Sequence, residues 1–295
     1  MSVERQAPTE AVNEGTQDLD LLGTPQLVAL LAREQHAALG AVERAEASIA
    51  QAVDAIVARL RAGGNLHYFG AGSSGRLAFL DAAECPPTFG TSATLVQAHI
   101  AGGHDALLRA VEGAEDDAAA GAAEAAAAVQ AADAIVGISA GGTAAYVIAA
   151  LRAARERGAF TIALTSDAAS PLAATAELTI MLDTGAEPLA GSTRLKAGTA
   201  QKLVLNALST ATMVQLGRVY GNLMVDVVAT NEKLRRRAQR LVQTIAAVDP
   251  ERARNLLIES GGDVKLAVVM ARHGLDAREA GAVLERAGGF LRSAL

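Results

Sequence analysis

The chain has 295 residues, a formal net charge of −6 at pH 7 and a single cysteine, Cys85. The acidic balance argues against general nucleic-acid binding, which needs clustered cations for the phosphates. One cysteine excludes an internal disulfide framework and is typical of a reducing cytoplasm. The polar N-terminus lacks a signal-peptide pattern, and no uninterrupted apolar run reaches membrane-spanning length. We therefore expect a cytoplasmic protein with no membrane segment.

The N-terminal region is predicted to be an arm followed by helices. Residues 1–23 are polar and acidic, a composition that predicts a mobile arm. Thr24-Pro25 is a typical helix start, and a second helical pattern with one apolar face runs over residues 36–61. Gly63-Gly64 ends that helix. Its apolar face suits packing on a sheet or on a partner chain.

The next stretch changes from strand to helix through a glycine-rich turn. Residues 65–69 have strand character, and a helix is predicted from about Ser74 until Pro86 stops it. The turn between them offers Gly72, Ser73 and Ser74. Backbone N–H groups and a helix N-terminus in this arrangement suit a phosphate, and glycine allows its close approach. The alternative is a plain strand-to-helix turn, since a lone glycine turn is a weak signal.

Strands and helices alternate along the following sequence. Further strands are predicted over residues 94–100, 133–139, 160–165 and 178–182, with helical patterns between them. This alternation predicts an α/β fold with a doubly wound, mainly parallel sheet flanked by helices over residues 24–245. Ligands of such sheets bind at the carboxyl ends of the strands. A second glycine turn, with Gly141, Gly142 and Thr143, follows the 133–139 strand and is a second candidate for phosphate binding.

The C-terminal half is predicted to be helical. A long helix opens around residues 191–198, where Ser192 is a natural cap. Arg194 and Lys196 oppose the helix dipole there, which a bound anion would explain, although cations pointing into solvent are the alternative. The basic run at residues 231–237 is interpreted as a solvated helix face. Residues 246–295 contain three short helical patterns and are predicted to form a small helical module.

Carboxylates are the best candidates for chemistry, because the five histidines lack metal-ligand spacing and no nucleophile motif occurs. Glu84 is predicted near a helix C-terminus, whose negative end favours the protonated acid. Glu115 is predicted at a helix N-terminus, which favours the ionised base. Two carboxyls with separated pKa values are the pattern for paired acid–base catalysis. Each residue taken alone is also consistent with an ordinary surface carboxylate.

Several segments together resemble the N-acetylmuramic acid 6-phosphate etherase family of the sugar-isomerase (SIS) superfamily. They cover most of residues 24–240 and include Gly70-Ala-Gly-Ser-Ser-Gly-Arg-Leu77, Ala83-Glu-Cys-Pro-Pro87, Ala110-Val-Glu-Gly-Ala-Glu-Asp116, the segment from Gly191 to Asn206 and the segment from Gly221 to Leu234. The resemblance implies a SIS-like fold and a cytoplasmic homodimer without metal or organic cofactor. It also implies a lyase that removes the D-lactyl ether of N-acetylmuramate 6-phosphate in the recycling of cell-wall amino sugars.

The resemblance places the catalytic pair at Glu84 and Glu115 and leaves one departure from the family pattern. The second glycine turn carries Gly141, Thr143, Ala144 and Ala145 where the family usually has Ser, Arg, Thr and Pro. Two alternatives stay open at this point. One is an aldose–ketose isomerase on the same fold, and the other is a sugar-phosphate sensor without catalysis.

Overall fold

The computed structural model describes residues 7–229 and 231–295. Positions 1–6 of the predicted arm lie outside the described residues. The described part of the arm forms three short 3₁₀ turns. Thr16 Oγ1 donates to the Pro188 carbonyl at 2.9 Å, and the Asn13 amide donates to Glu34 Oε2 at 3.0 Å. The mobility of the arm stays a prediction.

In the described part of the chain, five strands form one parallel sheet, which confirms the predicted fold class. The strands are β1 (Leu66–Gly70), β2 (Val96–Ile100), β3 (Ala134–Ile138), β4 (Phe160–Thr165) and β5 (Leu178–Met181). Their order across the sheet is β2-β1-β3-β4-β5. Strands β1 and β3 are buried along their whole length, as expected for central parallel strands with helices on both faces.

The strand order places a topological switch point between β1 and β3. The chain leaves β1 toward β2 on one side and returns to β3 on the other side. Gly70 and Ile138, the last residues of the two strands, are register partners. The two predicted glycine turns therefore begin side by side at the position where open α/β sheets bind ligands.

Helices make up most of the remaining chain. They are α1 (Thr24–Glu34), α2 (His36–Arg44), α3 (Glu46–Arg61), α4 (Gly72–Phe89), α5 (Asp105–Leu108), α6 (Ala118–Ala128), α7 (Ala145–Glu156), α8 (Pro171–Thr175), α9 (Lys196–Gln215), α10 (Glu232–Ala246), α11 (Pro250–Glu259), α12 (Val264–His273), α13 (Ala277–Arg286) and α14 (Leu291–Ala294). Among the described residues, none of these helices combines the length and apolar character needed to cross a bilayer.

Two predicted helix boundaries are wrong. Helix α4 does not stop at Pro86 but continues to Phe89, because proline lacks an N–H donor and still offers its carbonyl as an acceptor. Gly90 N donates to Pro86 O at 3.0 Å, and the positive φ of Gly90 then ends the helix. The single helix predicted over residues 36–61 is two helices, since Ala45 leaves helical geometry with a ψ of 2°.

The chain divides into two compact units. The first comprises residues 1–82 and 94–209 and holds the sheet, and the second comprises residues 83–93 and 210–295. The second unit has its own apolar core, built largely by α10, α11 and α12. Within it, Lys265 Nζ lies 2.8 Å from Asp226 Oδ1 and donates to the Gly289 carbonyl at 3.1 Å. The predicted boundary at residue 245 stays a prediction of the sequence.

A chain of polar side chains runs beneath the sheet of the first unit. His67 is fully buried on β1; its Nδ1 lies 3.2 Å from His99 Nε2, and its Nε2 lies 3.3 Å from Asp133 Oδ2. His99 Nδ1 is 2.9 Å from Glu124 Oε1, and the Tyr146 hydroxyl donates to the other oxygen of Glu124. Burial, helped by the nearby His99, lowers the pKa of His67 to about 4, although Asp133 acts in the opposite direction.

We expect this buried imidazole to make the protein sensitive to acid. Between pH 6.5 and about pH 4, the unfolded chain binds a proton that folded His67 does not bind, so stability falls as the pH falls through this window. The loss amounts to about 3 kcal/mol once the pH is below about 4. Urea unfolding of the wild type and of His67→Gln at about pH 7 and about pH 4.5 measures it.

His104 provides the matched control, because it is exposed on the same unit. His104→Gln should lose stability with acid as the wild type does, whereas His67→Gln should lose less. Equal acid sensitivity of all three proteins would contradict the assignment to His67.

Candidate active site

Close packing explains why the first glycine turn needs its glycines. A Cβ on Gly70 would lie 2.6 Å from the backbone nitrogen of Gly75, and a Cβ on Gly75 would lie 2.5 Å from the Ile100 side chain. Gly72, by contrast, has a φ of 52° with open space around its Cβ position. Two of the glycines therefore hold the start of α4 against β1, and Gly72 shapes the turn.

The turn borders a small cavity that also contains Glu115. The cavity has a volume of about 190 Å³ and is lined by Gly72, Arg76, Ala101, Glu112 and Glu115, among others. Glu115 is exposed in a 3₁₀ turn just before α6. The structure thus brings together one predicted catalytic carboxylate and the predicted phosphate turn, which are far apart in the sequence.

Ser73 and Ser74 point to different surroundings. Ser74 is buried, and its hydroxyl donates to Gln201 Oε1 on α9 at 2.9 Å. Ser73 is half-buried and lines a second, larger cavity with Arg76, Arg194 and Lys202. A ligand anion is therefore accessible to the Ser73 hydroxyl, whereas Ser74 mainly ties α4 to α9.

The second glycine turn is fixed by the residues of β4 and α8. Gly142 has a φ of 66°, and a Cβ there would lie 2.2 Å from Ser170 Oγ, the N-cap of α8. Gly141 has only the Thr143 hydroxyl near its Cβ position, at 3.7 Å, and Thr143 is exposed. The turn keeps a compact backbone, and its accessible polar side chain is Thr143.

Glu84 lies in the second unit, on the part of α4 that passes through Pro86. It is exposed, and more than one turn of helix separates it from Phe89. The expectation of partial burial at the closing end of a helix is therefore wrong for this chain, because α4 is longer than the sequence predicted. Its catalytic role stays a prediction.

A buried carboxylate occupies the start of α9. Glu187 is fully buried and accepts hydrogen bonds from the backbone N–H groups of Lys196 and Ala197, each at 2.9 Å. Lys196 is 4% exposed, and its ammonium donates to Glu34 Oε2 at 2.9 Å. The solvent-facing alternative is therefore wrong for Lys196 and correct for Arg194, which is exposed.

The substrate-binding roles of Ser192 and Lys196 stay predictions. Ser192 is half-buried just before α9, and Lys196 is held in an internal ion pair. Across residues 7–229 and 231–295, no group of three or more His, Cys, Asp and Glu side chains is arranged to hold a metal ion.

Comparisons with known proteins identify the family. The glucokinase regulatory protein N-terminal SIS domain model matches residues 48–155, and the SIS domain model matches residues 114–211. The N-acetylmuramic acid 6-phosphate etherase of Gloeobacter violaceus is 52% identical over 97% of this chain and 94% of its own length. The chain belongs to the N-acetylmuramic acid 6-phosphate etherase family.

Two further relatives agree. The N-acetylmuramic acid 6-phosphate etherase of Serratia proteamaculans is 49% identical over 97% of both chains. That of Deinococcus radiodurans is 48% identical over 97% of this chain and 94% of its own. The match extends across both compact units, so family membership concerns the whole chain.

Sequence reasoning missed three residues that shape the candidate site. Arg76 lines both cavities, and its guanidinium donates to the carbonyls of Leu107 and Arg109. Lys202 lines the larger cavity one helical turn after Gly198, and Glu187 holds the start of α9. The Gly-Arg and Gln-Lys pairs within the family segments were the available signal, but their spacing does not predict a shared cavity.

Proposed function

We propose that the protein cleaves the D-lactyl ether of N-acetylmuramate 6-phosphate, giving N-acetylglucosamine 6-phosphate and D-lactate. The observation that carries the proposal is the identity of 48–52% with N-acetylmuramic acid 6-phosphate etherases over 97% of the chain. The cavity shared by Gly72 and Glu115 at the switch point of the sheet supports it, because it combines anion-binding backbone with a carboxylate.

The chemistry follows from the open-chain form of the sugar, whose aldehyde makes the C2 proton acidic. Glu115, as a carboxylate, takes this proton, and the C3–O bond breaks while Glu84 gives its proton to the departing ether oxygen. Water then adds to C3 of the unsaturated aldehyde, with Glu84 as the base that accepts its proton. Protonation of C2 by Glu115 completes the N-acetylglucosamine 6-phosphate, so protons and electron pairs balance across the two stages.

A lactate-release assay on the purified protein tests this function. Stoichiometric D-lactate and N-acetylglucosamine 6-phosphate should form from N-acetylmuramate 6-phosphate. Sugar-phosphate binding without turnover would support the sensor alternative, and conversion of an aldose phosphate to a ketose phosphate would support the isomerase alternative.

The phosphate is bound, in this proposal, by Ser73 and Ser74 together with the backbone of Gly72, Gly141 and Gly142. Thr143, Ser192 and Lys196 complete the proposed binding set. The engagement of Ser74 with Gln201 leaves Ser73 as the accessible hydroxyl of the pair. No metal or organic cofactor is required, because the aldehyde itself acidifies the C2 proton.

We further propose that the protein acts in the cytoplasm as a homodimer and binds no nucleic acid. Two large apolar side chains on the N-terminal helices support the dimer: Val28 on α1 is 61% exposed and Leu39 on α2 is 50% exposed. Association would remove both from water. Sedimentation at assay concentration should show a dimer, and a fully active monomer would contradict this.

A further inference from the structure

A second cavity of the first unit is strongly cationic. It has a volume of about 450 Å³ and lies between the start of α4 and the first turns of α9. Its walls carry Arg76, Arg194 and Lys202, with the apolar side chains of Leu77 and Leu203 between them. Among the described residues, no carboxylate lines it.

The three cations keep donors available for a ligand. The Nε and Nη2 atoms of Arg76 donate to backbone carbonyls, which orients its guanidinium without neutralising it. Lys202 donates one of its three ammonium hydrogens to Asn206 Oδ1, a neutral partner. Arg194 is exposed and has no ion pair within the part of the chain that the structure describes. Like charges gathered without a counter-charge repel one another, and an anionic ligand would remove that cost.

Arg76 connects this cavity to the one that contains Glu115, since it lines both. On the proposed function, Glu115 removes the C2 proton, and the lactyl ether is attached at the adjacent carbon C3. The group that reaches from C3 into a neighbouring cavity is the lactyl group, which combines a carboxylate with a methyl. The cations match the carboxylate, and Leu77 and Leu203 match the methyl.

We propose that Arg76, Arg194 and Lys202 form the subsite for the lactyl carboxylate of the substrate and make the protein selective for sugar ethers that carry an acid. The inference rests on the proposed function. Because the carboxylate stays charged throughout the elimination, the cations bind ground state and transition state alike. Their loss should therefore raise KM while kcat is largely kept.

The experiment compares two ligands that differ only in the lactyl group. Arg194→Met and Lys202→Met are each made in a Glu115→Gln background, which suppresses turnover, and binding is measured by calorimetry. N-acetylmuramate 6-phosphate should bind about tenfold more weakly or worse, the cost of losing a charged hydrogen bond. N-acetylglucosamine 6-phosphate, which keeps the phosphate and lacks the lactyl group, should bind within about twofold of the parent.

Controls and contrary outcomes are well separated. Arg278→Met removes an exposed arginine of α13 in the second unit and should change neither affinity. Lys202→Gln repeats the charge loss if Lys202→Met melts at a lower temperature than the parent. Equal weakening of both ligands would assign the cavity to the phosphate and overturn the inference, as would no weakening of either. Failure of the wild type to release lactate would refute the proposed function, whereas the comparison of the two ligands would still report on the cavity.

Discussion

Glu84→Gln should abolish lactate release yet still exchange the C2 proton of N-acetylmuramate 6-phosphate with deuterium from the solvent. Glu115→Gln should lose both reactions. An amide of nearly the same shape neither gives nor takes a proton at these positions, so each change should lower kcat by about a thousandfold. Proton NMR in heavy water measures C2 exchange, and an enzymatic lactate assay measures release.

The cavity that contains Glu115 offers a matched control. Glu112 is also exposed and lines the same cavity. Glu112→Gln removes the same charge from the same surroundings and should stay within about twofold of wild-type kcat, since no proton transfer is assigned to it. Normal C2 exchange in Glu115→Gln, combined with its loss in Glu84→Gln, would show that the two roles are reversed. Wild-type rates in both variants would refute the site.

Glu187→Ala should produce the largest loss of stability among the substitutions considered. The Glu187 carboxylate is fully buried and accepts from the N–H groups of Lys196 and Ala197, at 2.9 Å each. Alanine would leave both buried donors without an acceptor, and this should cost about 3 kcal/mol. Urea unfolding at neutral pH, followed by circular dichroism, measures the change.

Two variants bracket that result. Glu187→Gln keeps one carbonyl oxygen and should be less destabilised than Glu187→Ala. Glu232→Ala removes a carboxylate that also lies in the first turn of a helix, α10, but is exposed to solvent. Its unfolding midpoint should barely move, because water replaces the lost contacts. A Glu187→Ala protein as stable as Glu232→Ala would contradict the structural role of Glu187.

The strand pattern of this protein was predictable from its sequence, because short-range rules determine it. Short apolar strands bounded by glycines were predicted at the correct places, and the 160–165 strand coincides with β4. The first glycine turn was also predictable, since only glycine tolerates the φ of Gly72 and the close backbone packing at Gly70. Family membership followed from the same local segments, which the relatives share along the whole chain.

The end of α4 could not be predicted, because a proline rule describes only the donor that is lost. Gly90 N still bonds to Pro86 O, so the helix continues and Glu84 lies more than a turn before its end. The burial of Lys196 was equally inaccessible to the sequence. Its partner Glu34 is 162 positions away, and Glu187 compensates the helix start from another loop.

Local composition determined the class of fold, the two glycine turns at the carboxyl ends of strands and the family. Tertiary structure alone decided which polar residues share a cavity: Arg76 reaches both cavities, Ser74 is committed to Gln201, and Lys202 lies opposite the start of α4. The physical reason is that strand and helix formation depends on neighbours along the chain. Ion pairs, buried hydrogen bonds and cavities depend instead on side chains that only the packed sheet and helices bring together.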